Sequence, residues 1–262
     1  MENKAEKHIE RLNILNLHIE QGQKIVKSNA LIQKSRYSLS AQDQKIILYL
    51  ISKIEPTDEE LKYYEFDMKI MCDLCGIDYT GQNYKNFKDT IQDLSNKSFW
   101  VRIDNKDILC RWIEKVIIDY STSTTKLYIR LDDTLKPYLL QIKNNYTIYE
   151  LSNVLTMKSK YSIRLYELFK SYYNLRYFEI SVDELKKMLN VENKYTDYKN
   201  FRVNVIDKSI EEINSTTDLQ VSYTPIRNNR VITHLHFSIT ATTMDDVIEN
   251  LKNKARAERD KQ

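Results

Sequence analysis

Three groupings of residues in this chain could do chemistry. The first is His234-Leu235-His236. Alternate residues of a strand share a face, so both imidazoles would lie together, and paired histidines beside a nucleophilic tyrosine can hold a divalent metal for strand nicking. No tyrosine follows the pair in this sequence, and no third ligand stands near it. With Leu235, Phe237 and Ile239 alternating against them, the histidines read more simply as the outer face of a strand. The second grouping is Cys72-Asp73-Leu74-Cys75, which has zinc-knuckle spacing. The remaining cysteine is Cys110 and the remaining histidines are His8 and His18, so a second ligand pair is missing and core packing beside Met71 and Leu74 is the better reading. The third grouping is basic and amide-rich. Between Tyr195 and Ser215 the chain places Lys199, Asn200, Arg202 and Asn204 ahead of apolar Val205, Ile206, Ile210 and Ile213. Arginine pairs with guanine and asparagine with adenine in a major groove. This grouping binds rather than cleaves.

The elements that must carry it are repeated. Tyr198-Lys199-Asn200-Phe201 occurs earlier as Tyr84-Lys85-Asn86-Phe87. Without a gap, Tyr63 to Asp78 upstream of the first copy aligns with Tyr177 to Glu192 upstream of the second. Further upstream, Ile46, Leu48, Tyr49 and Ile51 match Ile163, Leu165, Tyr166 and Leu168, with a small shift absorbed between Glu55 and Leu61. A period this long indicates two related domains rather than a solenoid. The 262 residues accommodate two domains of about 100 to 130 residues each.

Composition excludes several classes. The three glycines, Gly22, Gly76 and Gly81, permit neither a Walker loop nor a Rossmann fingerprint, and no cofactor is implied. No paired acid–base carboxylates or Ser-His-Asp set can be established, so the catalytic set is empty and the chain reads as no enzyme. No run is apolar enough to cross a bilayer, and the start of the chain lacks a signal-peptide core, which points to the cytoplasm. The net charge of +3 is a weak signal for a polyanion, so the placement of basic residues has to carry that argument.

In chain order, Lys4 to Ile19 reads as a helix. Ser40 caps a second from Ala41 to about Lys53, and an extended Glu65 to Met68 follows. Asp67 caps Met68 to Cys75, which Gly76 stops. Tyr84 to Asn96 turns Phe87, Ile91 and Leu94 inward and leaves Lys85, Asn86, Lys88 and Gln92 outside. The period then switches to alternation. Phe99–Ile103 with Ile108–Ile113, and Val116–Tyr120 with Leu127–Leu131, read as hairpins. Asp133 to Tyr149 is a connector. The second domain repeats the plan, with a helix opening at Lys158, Ser181 capping Val182 to Leu189, the helix Tyr198 to Asn214, and strands Leu219–Thr224 and Val231–Thr240 around a tip at Arg227 to Arg230. Met244 to Gln262 reads as a last helix with a charged tail. Three helices and a hairpin make a winged helix. The expected fold is therefore α+β, two tandem winged-helix domains related by internal duplication, at 25–148 and 149–243, with extensions at 1–24 and 244–262.

On that plan Arg202, Asn200 and Asn204 are the base readers, and Lys158, Lys160 and Lys199 bind phosphates. Lys85, Asn86 and Lys88 are their counterparts in the first domain. Lys208, with Arg227 and Arg230 at the wing tip, completes the surface. Arg164 is open to two readings, DNA contact or an internal ion pair with Glu167.

Ile25-Val26-Lys27-Ser28-Asn29-Ala30-Leu31-Ile32 with Tyr37-Ser38-Leu39-Ser40, and Tyr161-Ser162-Ile163-Arg164-Leu165-Tyr166-Glu167-Leu168, resemble the iteron-binding plasmid replication initiators. The resemblance spans roughly Ile25 to Thr240. It implies binding to direct repeats in double-stranded DNA at a plasmid origin and a dimer that represses its own gene. It also implies melting of adjacent AT-rich DNA and recruitment of a host initiator and replicative helicase. The first winged helix would carry the dimer interface and the second the stronger DNA contacts. A plain winged-helix repressor and a metal-dependent His-x-His nickase, the latter through His234 and His236, are the competing readings.

Overall fold

The computed structural model describes residues 23–75, 81–121 and 125–242. The expected helices at Lys4 to Ile19 and Met244 to Gln262, and the stop at Gly76, lie outside them. The chain divides into two compact units, one ending at Leu155 and the other beginning at Thr156.

In the first unit, β1 (Lys24–Ser28) leads into α1 (Asn29–Gln33), β2 (Ser35–Arg36) and α2 (Ala41–Ile51). Ser40 and Asp43 cap α2 reciprocally: Ser40 Oγ accepts from the Asp43 N–H at 3.1 Å, and Asp43 Oδ2 accepts from the Ser40 N–H at 2.9 Å. Such a box satisfies two donors that a helix start leaves orphaned. Next come β3 (Tyr63–Asp67) and α3 (Met68–Cys75), where Asp67 Oδ1 accepts from the Lys69 N–H at 2.8 Å. Then follow α4 (Gly81–Ser95), β4 (Ser98–Ile103), β5 (Lys106–Arg111), β6 (Ile113–Asp119) and β7 (Lys126–Leu131). A 3-10 turn (Asp133–Leu135) and the short α5 (Lys136–Leu139) lead to β8 (Tyr146–Glu150) and α6 (Leu151–Leu155).

The second unit comprises α7 (Lys160–Tyr172), β9 (Tyr177–Ser181), α8 (Val182–Met188), α9 (Tyr198–Phe201), a π-helical segment (Arg202–Asp207), α10 (Lys208–Thr216), β10 (Leu219–Asn228) and β11 (Val231–Ala241). Ser181 caps α8 by accepting from the Glu184 N–H at 3.1 Å. That is the job Asp67 does for α3.

Sheet topology makes the duplication explicit. The first unit has the sheet β3-β7-β6 and the second β9-β11-β10. In each, the strand before the two HTH helices joins the later strand of the closing hairpin, through Glu65↔Tyr128 and Ile180↔Leu235. The wing of the first unit is therefore β6–β7. The hairpin β4–β5 is an insertion between α4 and that wing, anchored where β2 pairs with β4. The connector expected after Asp133 returns as a strand instead, because Thr147 and Tyr149 alternate inward and β8 pairs with β1 from Lys24↔Glu150 to Ser28↔Tyr146.

Each unit has its own core. In the first, Trp112 stacks on Phe99 with centroids 4.2 Å apart, and Tyr37 meets both edge-on at 5.5 and 5.1 Å. In the second, Phe169, Phe178 and Phe237 cluster, with Tyr172 stacked on Phe178 at 4.2 Å. The motif helix α7 belongs to this core: Asp218 accepts from the Tyr166 hydroxyl at 2.8 Å and from Lys170 Nζ at 2.9 Å, which ties α7 to the start of the wing. Glycine is scarce, so Asn145, Asn190, Asn229 and Asp104 take left-handed backbone positions (φ between 52° and 56°), which short amide and carboxylate side chains tolerate better than most.

Candidate nucleic-acid interface

The helix expected without interruption from Tyr198 to Asn214 is broken by a π turn. Its buried positions are Phe201, Val205, Ile206, Ser209 and Ile213. Four-residue steps from 201 to 205, 209 and 213 would each overshoot a full α-helical turn by about 40°, and the stripe would wind away from the core. The wider turn from Arg202 to Asp207 returns it to register. Such bulges occur often at functional sites. Here the bulge falls on the residues that sequence chemistry marks for base readout.

With that stripe buried, Lys199, Asn200, Arg202, Val203, Asn204 and Lys208 are all exposed. Asp197 caps α9 by accepting from the Asn200 N–H at 2.9 Å. Asn204 Nδ2 donates to the Asn200 carbonyl at 3.0 Å, and its Oδ1 accepts from Lys208 Nζ at 3.3 Å. Arg202 Nε lies 3.4 Å from Asp207 Oδ2. From the wing, Tyr223 donates its hydroxyl to Asp207 Oδ1 at 2.7 Å. Burial, then the hydrogen bond to Asp207, pushes the Tyr223 hydroxyl well above the ordinary phenol range, and burial does the same for Tyr198 beside it. Asn214 on α10 ties the wing to the helix at a second point, bonding the carbonyl and the N–H of Val221 at 2.9 and 2.7 Å.

The wing is longer than expected. β10 runs through Asn228, a bulge lies between Ile226 and Arg227, and the turn itself is only Asn229 and Arg230. Arg227 and Arg230 are both exposed at this tip. At the start of α7, Lys158 is exposed and Lys160 Nζ sits 5.2 Å from the Tyr161 ring centroid. The backbone donors there are already taken: Glu212 accepts from the Lys158 and Ser159 N–H groups at 2.7 and 3.1 Å, and Ser159 caps the next turn. A phosphate at this end would therefore meet lysine side chains rather than the helix terminus.

Arg164 stands apart from this surface. Its side chain is only 6% exposed and faces buried Glu167 across one turn of α7, 3.9 Å away. The internal ion pair, one of its two readings, is what the structure places there, because the helix face carrying Arg164 packs inward.

The histidines lie on the outer face of β11, opposite Leu235, Phe237 and Ile239. His236 stacks on Tyr177 with centroids 5.6 Å apart, and its Nδ1 is 3.7 Å from Glu179 Oε2, while His234 Nδ1 meets Thr233 Oγ1 at 3.1 Å. Among the described residues no three His, Cys, Asp or Glu side chains are grouped to hold a metal ion. Cys72 and Cys110 are both buried.

In the first unit, Phe87, Ile91 and Leu94 are buried and Lys85, Lys88 and Gln92 exposed. Asn86 lies on α4, but its side chain is outside the described set. Asp89 and Asp93 share the exposed face, so two lysines stand against two aspartates. Sequence reasoning passed over these acids, and also Asp207, Tyr223 and Lys194. Lys194 is exposed in the loop before α9 with its Nζ 5.3 Å from the Tyr195 ring centroid, and the neighbouring Tyr161 and Tyr195 hydroxyls hold its ammonium above the ordinary lysine range.

Comparison with known proteins places this architecture. Residues 24–170 match the family described as Initiator Replication protein, WH1, and residues 181–239 match Initiator Rep protein, WH2. The PI protein of Escherichia coli is 35% identical over 118 residues, a match spanning 39% of this chain and 39% of that relative's length. A replication initiation protein of Escherichia coli is 24% identical over 232 residues, covering 84% of this chain and 70% of the relative. The crystal structure of Pi initiator protein in complex with iteron DNA superposes with a TM-score of 0.70 at 22% identity, over 86% of this chain and 99% of that one. The two tandem winged helices of the chain are thus a shared fold.

Proposed function

Since this chain belongs to the Initiator Replication protein family, we propose that it binds direct repeats in double-stranded DNA at a plasmid origin and starts replication there. The observation that carries the reading is the groove helix of the second unit. Lys199, Asn200, Arg202 and Asn204 are exposed along one stretch whose apolar residues are buried, and the arginine-tipped wing is tied to the same helix through Asn214 and Tyr223.

On this reading, Arg202, Asn200 and Asn204 contact base edges, while Lys158, Lys160, Lys199, Lys208, Arg227 and Arg230 contact phosphates and sugars. Lys194 joins the phosphate set. Arg164 does not, since its side chain is buried and faces Glu167 on the same helix. The second unit supplies the main DNA contacts, and α4 of the first, through Lys85, Asn86 and Lys88, supplies weaker ones alongside dimerisation. Origin opening, recruitment of a host initiator and helicase, autorepression as a dimer, and action in the cytoplasm complete the proposal. The related Pi protein was crystallised on iteron DNA, which supports repeats as the target class.

The test is a pair of measurements on the full chain. Band shifts on a duplex selected from a random pool should show preference over unselected DNA, with affinity falling steeply as salt rises. A plasmid lacking its own initiator but carrying the selected repeats beside an AT-rich tract should be maintained when the chain is supplied. Preference without maintenance would favour a plain repressor. A cut strand bearing a covalent tyrosyl adduct would favour the nickase.

A further inference from the structure

Arg202 and Asp207 are five residues apart. In an α-helix that spacing puts side chains about 140° apart around the axis, and only neighbours three or four apart meet. These two meet because they are the first and last residues of the π segment, whose wider turn brings position i+5 over position i. The pair is solvent-accessible, with the two side chains 46% and 43% exposed. Exposed ion pairs of this kind add little to stability, so stability alone is a weak reason for this pair, whatever the packing of the buried stripe requires of the bulge. The carboxylate, however, is held from behind. Its second oxygen accepts from Tyr223 on β10 at 2.7 Å, and the Tyr198 hydroxyl is buried beside that of Tyr223. One carboxylate thus has one oxygen fixed to the wing and the other set against Arg202 Nε, which leaves the terminal nitrogens of the guanidinium fork available.

We propose that Asp207 is a positioning residue for DNA readout, holding the Arg202 fork in a base-contacting orientation while Tyr223 anchors it from the wing. The inference rests on the reading of Arg202 as a base reader. A long arginine side chain loses considerable rotamer freedom on ordering, and fixing it before binding removes that cost from the complex. A negative charge facing a groove also repels phosphates generally. Asp207 should therefore lower affinity for random duplexes while raising discrimination at one base pair. A residue that merely stabilised the helix would not produce those opposite signs.

Full-length chain carrying Asp207→Asn, Tyr223→Phe, Arg202→Ala or Arg202→Ala with Asp207→Asn would be titrated against a fluorescent duplex of the pool-selected sequence, its single-base-pair variants and a random duplex. The expected result is that Asp207→Asn loses about tenfold in discrimination at the base pair that Arg202→Ala makes indifferent. Its affinity for the random duplex is unchanged or higher. Tyr223→Phe, which keeps the carboxylate and the ring, shows a smaller loss at the same base pair, and the double variant discriminates no worse than Arg202→Ala. If Arg202→Ala abolishes discrimination at one base pair while Asp207→Asn and Tyr223→Phe leave it intact, positioning is overturned and base reading stands. Uniform weakening by Asp207→Asn on all duplexes would reduce it to a structural role and equally overturn the proposal. Equal loss on all duplexes for Arg202→Ala would remove the base reader itself, and the inference with it.

Discussion

Tyr84-Lys85-Asn86-Phe87 and Tyr198-Lys199-Asn200-Phe201 open two matching helices that continue differently. After Phe87 the buried residues Ile91 and Leu94 fall four and seven positions on, the interval of a regular α-helix. After Phe201, Ile206, Ser209 and Ile213 fall five, eight and twelve positions on. The second helix has one residue more than its counterpart between the shared phenylalanine and the next turn of the stripe, and the π segment accommodates it. Charge diverges as well. The exposed face of α4 sets Asp89 and Asp93 against Lys85 and Lys88, whereas the face from Lys199 to Lys208 carries two lysines, an arginine and two asparagines around Asp207 alone. The duplicated scaffold thus presents a regular, electrostatically balanced helix in one unit and a bulged, basic one in the other. What distinguishes the units is a local insertion and a few charges, not the fold.

The strongest way to break this contrast is to remove the inserted residue. Deletion of Val203 shortens the spacings after Phe201 to three, four, seven and eleven, which a plain α-helix accepts. Circular dichroism should show a folded protein, and affinity for the selected duplex should fall by about a thousandfold toward the non-specific level. Retained specificity would mean the bulge is incidental. Next in size, Arg202→Ala should cost about 1–3 kcal/mol on the selected duplex and relax preference at one position. Lys158→Ala should weaken all sequences alike and reduce the salt slope by about 1, so the two variants separate base reading from phosphate contact in isotherms at several salt concentrations. The smallest effect sharpens the other side of the comparison. Asp89→Asn or Asp93→Asn should each tighten binding about twofold on any duplex, as expected for a unit charge roughly 10 Å from a phosphate in water. No change would place α4 away from the DNA.

Much of this architecture was legible in the residues. Periodicity marked α2, α3, α8 and the two helices that carry the repeated Tyr-Lys-Asn-Phe, and the caps at Ser40, Asp67 and Ser181 stand where the sequence implied. The π turn was not read, although the signal was present. Adjacent Val205 and Ile206 supply an apolar residue at both four and five positions from Phe201, which disguises the extra residue. The pairing of β1 with β8 escaped because the two strands are far apart in sequence and neither carries a turn that names its partner. Two hairpins in the first unit looked alike. Only the pairing of β3 with β7 identifies β6–β7 as the wing. Arg164 shows the limit for single side chains: its spacing to Glu167 allowed either reading, and its direction depends on packing around α7 that periodicity alone does not settle.

Hydroxyl-radical footprinting of the full chain on its pool-selected duplex tests the central claim most directly. Two groove-reading helices should leave two protected patches on one face of the duplex, about one helical turn apart, with both strands intact. The patch facing the second unit should disappear first when Val203 is deleted. Uniform or absent protection, or a cleaved strand, would contradict the account.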